Sequence, residues 1–216
     1  MIAIRSRKEL ELLREANRIA ATVLKRIAEM VQSGVSTAQL DQETERLIRG
    51  MGATPAFKGY KGYPCSICAS IDEQVVHGIP SDRKLVEGEI ISIDVGTNYR
   101  GYCGDAAVTL AVGEVSCEKR RLMQVTERAL RLGINAARAG NHVSDISRAV
   151  QSEVERNGFS VIRQFVGHGI GTSPHEDPQV PNFATGSPGP QLRPGMVIAI
   201  EPMVSTGDGE VEILED

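Results

Sequence analysis

Apolar positions along the first third of the chain recur at helical spacing. Leu13, Ala16, Ala20, Val23, Ile27 and Val31 trace one face, and Ser6 with Glu9 fits a capping box at its start. After the break "QSGVS", Ser36 and Gln39 offer a second capping box. Leu40, Leu47 and Ile48 continue a shorter helix that Gly50 and Gly52 end. Strand-like segments follow to about Leu110. Helical spacing then returns: Ser116 caps a run through Leu122, Val125, Ala129, Leu132 and Ala136 that stops at Gly140. A second short helix covers about 144–157, closed by Gly158, and "FSVIRQFVGHG" and "GMVIAIEPMV" read as strands.

The order is therefore helix, helix, strands, stated twice. Gly34, Leu40, Ile48 and Gly52 recur as Gly140, Ile146, Val154 and Gly158 with the same internal spacing. This predicts an α+β fold of two halves, about 1–112 and 113–216, related by a pseudo-twofold. Antiparallel strands would lie inside and helices outside, with a site between the halves.

Composition narrows the class. A chain of 216 residues can bury one sizeable core or two small ones. Its net charge of −4 gives no electrostatic reason to expect nucleic acid or an anionic membrane as partner. No apolar run has the length of a membrane span, and "MIAIRSRKELELL" lacks a signal-peptide core, so a cytoplasmic protein is expected. Cys65 and Cys68 form a C-x-x-C, but Cys103 and Cys117 supply no second pair, so the thiols read as small apolar side chains.

The chemistry begins with misplaced charge. "IISIDVGTNYRGYCGDAAVTL" sets Asp94 and Asp105 in apolar strand-like runs, and a turn around 98–101 would make them direct cross-strand partners. Opposed carboxylates need a shared proton, a bound cation, or exposure to solvent on a wet sheet face. The second half repeats the oddity with Glu201 in "GMVIAIEPMV", and adds His168 among Gly167, Gly169 and Gly171. One histidine and three carboxylates form a hard ligand set suited to divalent manganese, iron, cobalt or zinc, and carboxylates can bridge two ions. The glycine string does not open a helix, because Pro174 and Pro178 stop one, so it is no dinucleotide fingerprint. His77, His142 and His175 have ordinary loop or strand-end readings on their own; His142 carries no functional weight.

Five segments together resemble the bacterial-type methionine aminopeptidases, within the pita-bread metallopeptidase superfamily that includes prolidase, aminopeptidase P and creatinase. They are "GYKGYPCSICASIDEQVVHGIP", "EGEIISIDVG", "GYCGDAAVT", "GHGIGTSPHEDPQV" and "RPGMVIAIEPM", and the resemblance spans nearly the whole chain. By position it implies metal ligands at Asp94, Asp105, His168 and Glu201, with Asp105 bridging two divalent ions (Co, Mn, Fe or Zn). It implies that His77 and His175 hold the reacting carbonyl, and that Phe57, Tyr60, Tyr63 and Cys68 lie along the methionine pocket. The implied activity is metal-dependent removal of initiator methionine from peptides and nascent chains, with small second residues preferred. A cytoplasmic monomer is expected, and ribosome association is a partner on which the sequence is silent.

The family pattern continues past "GDGEVEILED" with a further strand, one more bridging glutamate and an aromatic, often tryptophan, over the pocket. This sequence has no tryptophan, and Glu210, Glu212 and Glu215 do not match that glutamate. The expectation is an unpaired sheet edge, a weakened second metal site and reduced activity. Other readings are a prolidase-like or aminopeptidase P-like peptidase, a non-catalytic paralogue that binds peptides or partners, and a metal-free hydrolase whose carboxylates share a proton.

Overall fold

The computed structural model describes residues 1–214. The chain divides into two compact units, each with its own core. One comprises Ser6–Cys117 with Gly171–Pro174; the other comprises Met1–Arg5, Glu118–Ile170 and the residues from His175 onward. Among the described residues no helix is long and apolar enough to cross a membrane.

In the first unit α1 (Arg7–Ala28) and α2 (Thr37–Gly50) begin at the two expected capping boxes. α1 turns Leu13, Ala16, Ala20, Val23 and Ile27 inward, while Val31 packs on the core from beyond the helix end. The sheet is built on β3 (Ile90–Tyr99). β4 (Tyr102–Ala111) pairs with its full length along one edge, and β1 (Thr54–Pro55) and β2 (Ile67–Ile71) share the other, all antiparallel.

Alternation along β3 answers why apolar strands carry carboxylates. Ile91, Ile93 and Val95 are fully buried, and Ser92, Asp94 and Gly96 point to the opposite face. The hairpin turns on Arg100 and Gly101 alone, at φ 51 and 84, the left-handed pair that a two-residue type I′ turn requires. The expected register is thereby corrected. Asp94 lies opposite Ala107 and Asp105 opposite Gly96, so the two aspartates are diagonal neighbours on one face, not direct partners.

α1 seats on the other face. A Cβ at Gly104 would fall under 3.0 Å from the backbone of Ala16 and Asn17, so only glycine permits this approach. Thr97 Oγ1 donates to the Ala16 carbonyl (2.9 Å), and the Asp105 N–H donates to Asn17 Oδ1 (3.2 Å). Helix and hairpin are thus pinned to each other where Asp105 emerges.

In the second unit α3 (Cys117–Ala136) and α4 (Val143–Arg156) bury Val125, Ala129, Val143, Ile146, Val150 and Val154. α3 starts directly after Ser116 but ends four residues before Gly140. Leu132, assigned to its inner face by spacing, is exposed; Gly133 takes that place against Val150. His142 is the residue before α4, and its N–H donates to Asp145 Oδ2 (2.6 Å). The strands are fragments: β5 (Ser160–Val161) with β8 (Val204–Ser205), and β6 (Gly167–Gly169) with β7 (Glu176–Val180). "GMVIAIEPMV" was expected as a strand. Most of it instead forms an extended segment bridged at Ile198 to Gly169, and only its last residue, Val204, enters β8.

Candidate functional site

The first unit supplies a carboxylate face. Asp94 and Asp105 are both half-buried, and Cys68 of β2 lies opposite Asp94 in register. Burial, and then the Asp94 charge, pushes the Cys68 thiol up to about 12. It is a neutral thiol at physiological pH. The Phe57 ring covers the same face, since a Cβ at Gly96 would fall under 3.0 Å from it. Tyr60 opens a tight turn of 3-10 helix at Tyr60–Gly62, and Tyr63 follows it. The Tyr63 hydroxyl lies 2.9 Å from the Ile67 carbonyl and 3.0 Å from that of Gly78. His77, one residue before Gly78, is exposed at φ 60. Left-handed backbone in a non-glycine residue is a strained arrangement of the kind found where a side chain is held for a purpose.

The second unit supplies histidines and a glutamate. His168 Nδ1 lies 2.9 Å from the Gly169 carbonyl. A carbonyl only accepts, so this nitrogen carries a proton, and in the neutral ring Nε2 is the nitrogen with the lone pair. Glu201 Oε1 lies 3.2 Å from that Nε2, is itself buried, and makes no hydrogen bond. The two groups form an ion pair when the ring is protonated, and with the ring neutral they are an imidazole and a carboxylate of the kind that suits a divalent ion. Each is held through its carbonyl: the Ala199 N–H donates to that of His168 (2.7 Å), and the Asn182 side-chain amide donates to that of Glu201 (2.9 Å). The exposed His175 ring lies 4.3 Å from that of His168, tilted by 51°.

These donors stand as pairs. Among the described residues, no three His, Cys, Asp or Glu side chains are gathered into one ligating group. Carboxylate with carboxylate, and imidazole with carboxylate, are donor sets that fit a hard or borderline divalent ion. Glu210 and Glu212 are exposed, and Glu215 lies outside the described residues.

Sequence reasoning did not single out Asn17 or Asn182, each of which fixes the main chain of a candidate ligand. Nothing local marks them; only the fold brings them to the strand or loop they hold.

Comparison with known proteins decides the family. The model of metallopeptidase family M24 matches residues 11–216. The chain belongs to metallopeptidase family M24. Its M24 relatives include "Methionine aminopeptidase 1" of Bacillus subtilis, 47% identical over 216 residues, which covers all of this chain and 87% of that protein. The crystal structure of methionine aminopeptidase from Thermotoga maritima superposes with a TM-score of 0.97 at 41% identity, covering all of this chain and 87% of the other. The prolidase of Pyrococcus furiosus shares the fold at a TM-score of 0.82, but at 24% identity and over 59% of its own chain. The fold is the pita-bread α+β fold with antiparallel strands, and the M24 family uses divalent metal.

Proposed function

We propose that this M24 metallopeptidase removes an N-terminal methionine from peptides and nascent chains. The observation that carries the reading is 47% identity across the whole chain to a methionine aminopeptidase, against only distant likeness to prolidases. Asp94, Asp105, His168 and Glu201 are the residues that would hold the divalent metal. Manganese, iron, cobalt and zinc all suit these donors. The hydrogen bond from His168 Nδ1 to a carbonyl supports its part in this, because it makes Nε2 the electron-pair donor of the neutral ring.

Bound divalent ions would supply Lewis acidity toward water and the scissile carbonyl. The chain supplies the rest. His77 and His175, both exposed, donate hydrogen bonds to the carbonyl oxygen as negative charge develops on it. Phe57 and Cys68 lie on the face that carries the aspartates, and with Tyr60 and Tyr63 they would form an apolar pocket fitted to an unbranched thioether side chain. A small second residue fits best beside it. A cytoplasmic, monomeric enzyme acting on new chains follows from this reading.

The test pairs metal uptake with turnover. Calorimetry with manganese or cobalt should show binding that Asp105→Ala weakens, and the loaded protein should release methionine from Met-Ala-Ser. Cleavage of Xaa-Pro dipeptides alone would move the assignment to the prolidase branch. No metal uptake by the unaltered chain would end the metal reading.

A further inference from the structure

One face of α2 carries Asp41 and Glu45, a turn apart. Asp41 Oδ1 accepts from the backbone N–H of Ser66 (2.7 Å) and of Ile67 (3.1 Å). Glu45 Oε2 accepts from Lys58 Nζ (2.7 Å) and from Ser66 Oγ (3.3 Å), while its Oε1 accepts from Arg49 (2.9 Å). Two helix carboxylates therefore grip residues 58–67 at both ends.

Between the grips the chain is tightly wound. Gly59, Lys61 and Gly62 all have positive φ, and the Gly59 N–H donates to the Tyr63 carbonyl (2.7 Å). The residues flanking the gripped segment, Phe57 and Cys68, both lie on the face of β3 that carries Asp94. Ser66 is fully buried, so its N–H needs the partner that Asp41 supplies. Asp41 is held against its own preference, since burial raises its pKa more than the Ser66 and Ile67 N–H groups lower it. A neutral side chain would carry a smaller desolvation penalty there. A carboxylate kept at such a position is keeping something else in place.

We propose that Asp41 and Glu45 are positioning residues that set the shape of the pocket for the substrate's first side chain, by clamping the 58–67 loop against the aspartate-bearing sheet. The proposal rests on the methionine aminopeptidase reading for its substrate. The clamp itself rests only on the contacts described. Neither carboxylate touches substrate; both act through Tyr60, Tyr63 and Cys68. A loosened loop would bind methionine less well and discriminate less against branched side chains.

The experiment uses the metal-loaded full chain and its Asp41→Ala, Asp41→Asn and Glu45→Gln variants. Glu43→Gln, a half-buried position of the same helix paired with Arg46, is the control. Asp41→Ala should raise KM for Met-Ala-Ser about tenfold with kcat within about twofold, and reduce the preference for Met over Leu about tenfold. Asp41→Asn, which keeps one acceptor oxygen, should restore most of that preference, and Glu45→Gln should fall between. Limited trypsin digestion reads the clamp without any turnover: cleavage after Lys58 and Lys61 should quicken about tenfold in Asp41→Ala when the loop opens locally. An unchanged Met-to-Leu ratio in Asp41→Ala overturns the proposal, as does an unchanged trypsin rate. A wild type that cleaves no methionyl peptide, with trypsin sites that still open in Asp41→Ala, would defeat the substrate reading and leave the clamp standing.

Discussion

The two units solve one folding problem with different amounts of regular structure. Gly34 and Gly52 of the first unit have φ 90 and 76; Gly140 and Gly158 of the second have 95 and 76. Gly34 N–H donates to the Leu85 carbonyl as Gly140 N–H does to Leu192, and Leu85 and Leu192 each donate back, to Val35 and Asn141. Gly88, six residues before Asp94, has φ 93; Gly195, six before Glu201, has 92. His77 and His175 both open a His-x-x-Pro stretch. The scaffold is duplicated down to single hydrogen bonds, but the sheets are not. Asp94 and Asp105 sit in a ladder of ten paired positions, whereas His168 and Glu201 hang on a three-residue strand and a few separate bonds. Ligands in a ladder are fixed collectively, and ligands on separate bonds are fixed one at a time.

The strongest way to break the comparison is a methyl group at a buried glycine of each unit. Gly104→Ala presses on the backbone of α1, which cannot yield, and should destabilise by about 3 kcal/mol or leave the protein unfolded. Gly133→Ala meets side-chain tips rather than backbone, Val150 at 2.9 Å, Ile200 at 3.3 Å and Ile146 at 3.4 Å, and gains helix propensity of about 1 kcal/mol, so its urea midpoint should move far less. Equal losses at the two sites would mean that the first unit is no more tightly locked than the second.

Next in size is the loss of a supporting contact. Asn182→Ala removes the donor that holds the Glu201 carbonyl, and should weaken metal binding by about 10- to 100-fold in calorimetry. Asn17→Ala removes a donor–acceptor contact at Asp105 of similar length, yet the ladder remains, and about a threefold effect is expected. If Asn17→Ala is the more damaging, collective fixation by the sheet is the wrong account.

Much of this architecture was readable in the sequence because it is local. Ser6 with Glu9 and Ser36 with Gln39 announce their helices within four residues, and glycines that need positive φ keep their spacing when side chains drift. The hairpin register was misread because a two-residue turn normally advertises itself as Asn-Gly or Asp-Gly, and here it is Arg100-Gly101. His142 reads as a loop residue beside Asn141 and shows nothing local of its place before α4, where its N–H donates to Asp145. Asp94, Asp105, His168 and Glu201 stand out in the sequence as polar groups in apolar or glycine-rich runs, and the resemblance alone adds His77 and His175 as proposed carbonyl contacts. Asn17, Asp41, Glu45 and Asn182 do not stand out, since each looks like ordinary surface polarity until the chain brings a distant backbone group to it.

Acid titration gives a smaller effect and sharpens the contrast between grips. Glu45 is held down to about 2 by hydrogen bonds from Lys58 and Arg49, and Glu153 of the second unit is lowered by Arg128 and Arg156. A carboxyl whose pKa falls on folding stabilises fully above its unfolded value of 4.5 and loses that contribution as pH drops toward its folded value. The gap in thermal midpoint between wild type and Glu45→Gln should therefore be widest near pH 7. It should start to close below about pH 4.5, and correspond to no more than about 1 kcal/mol. A gap that widens with acid would reverse the sign and rule out the clamp geometry.

The smallest effect is a rate, and it reads the first unit alone, because all four cysteines precede residue 118. Cys117 is exposed, whereas Cys68 and Cys103 are buried within strands of the ladder. With the Cys68 thiol pushed up to about 12 by burial, its thiolate is scarce at pH 8 while the sheet stays closed. Iodoacetamide should therefore label Cys117 first, and Cys68 and Cys103 only as fast as the sheet opens, as mass spectrometry of the digested protein would record. Gly104→Ala, if it folds at all, should bring the labelling of Cys103 close to that of Cys117, since Cys103 shares its strand with the substituted residue. Asn182→Ala should leave that order untouched. Rapid labelling of Cys68 in the unaltered protein would mean that the ladder beside Asp94 breathes, and that the first unit holds its ligands no more collectively than the second.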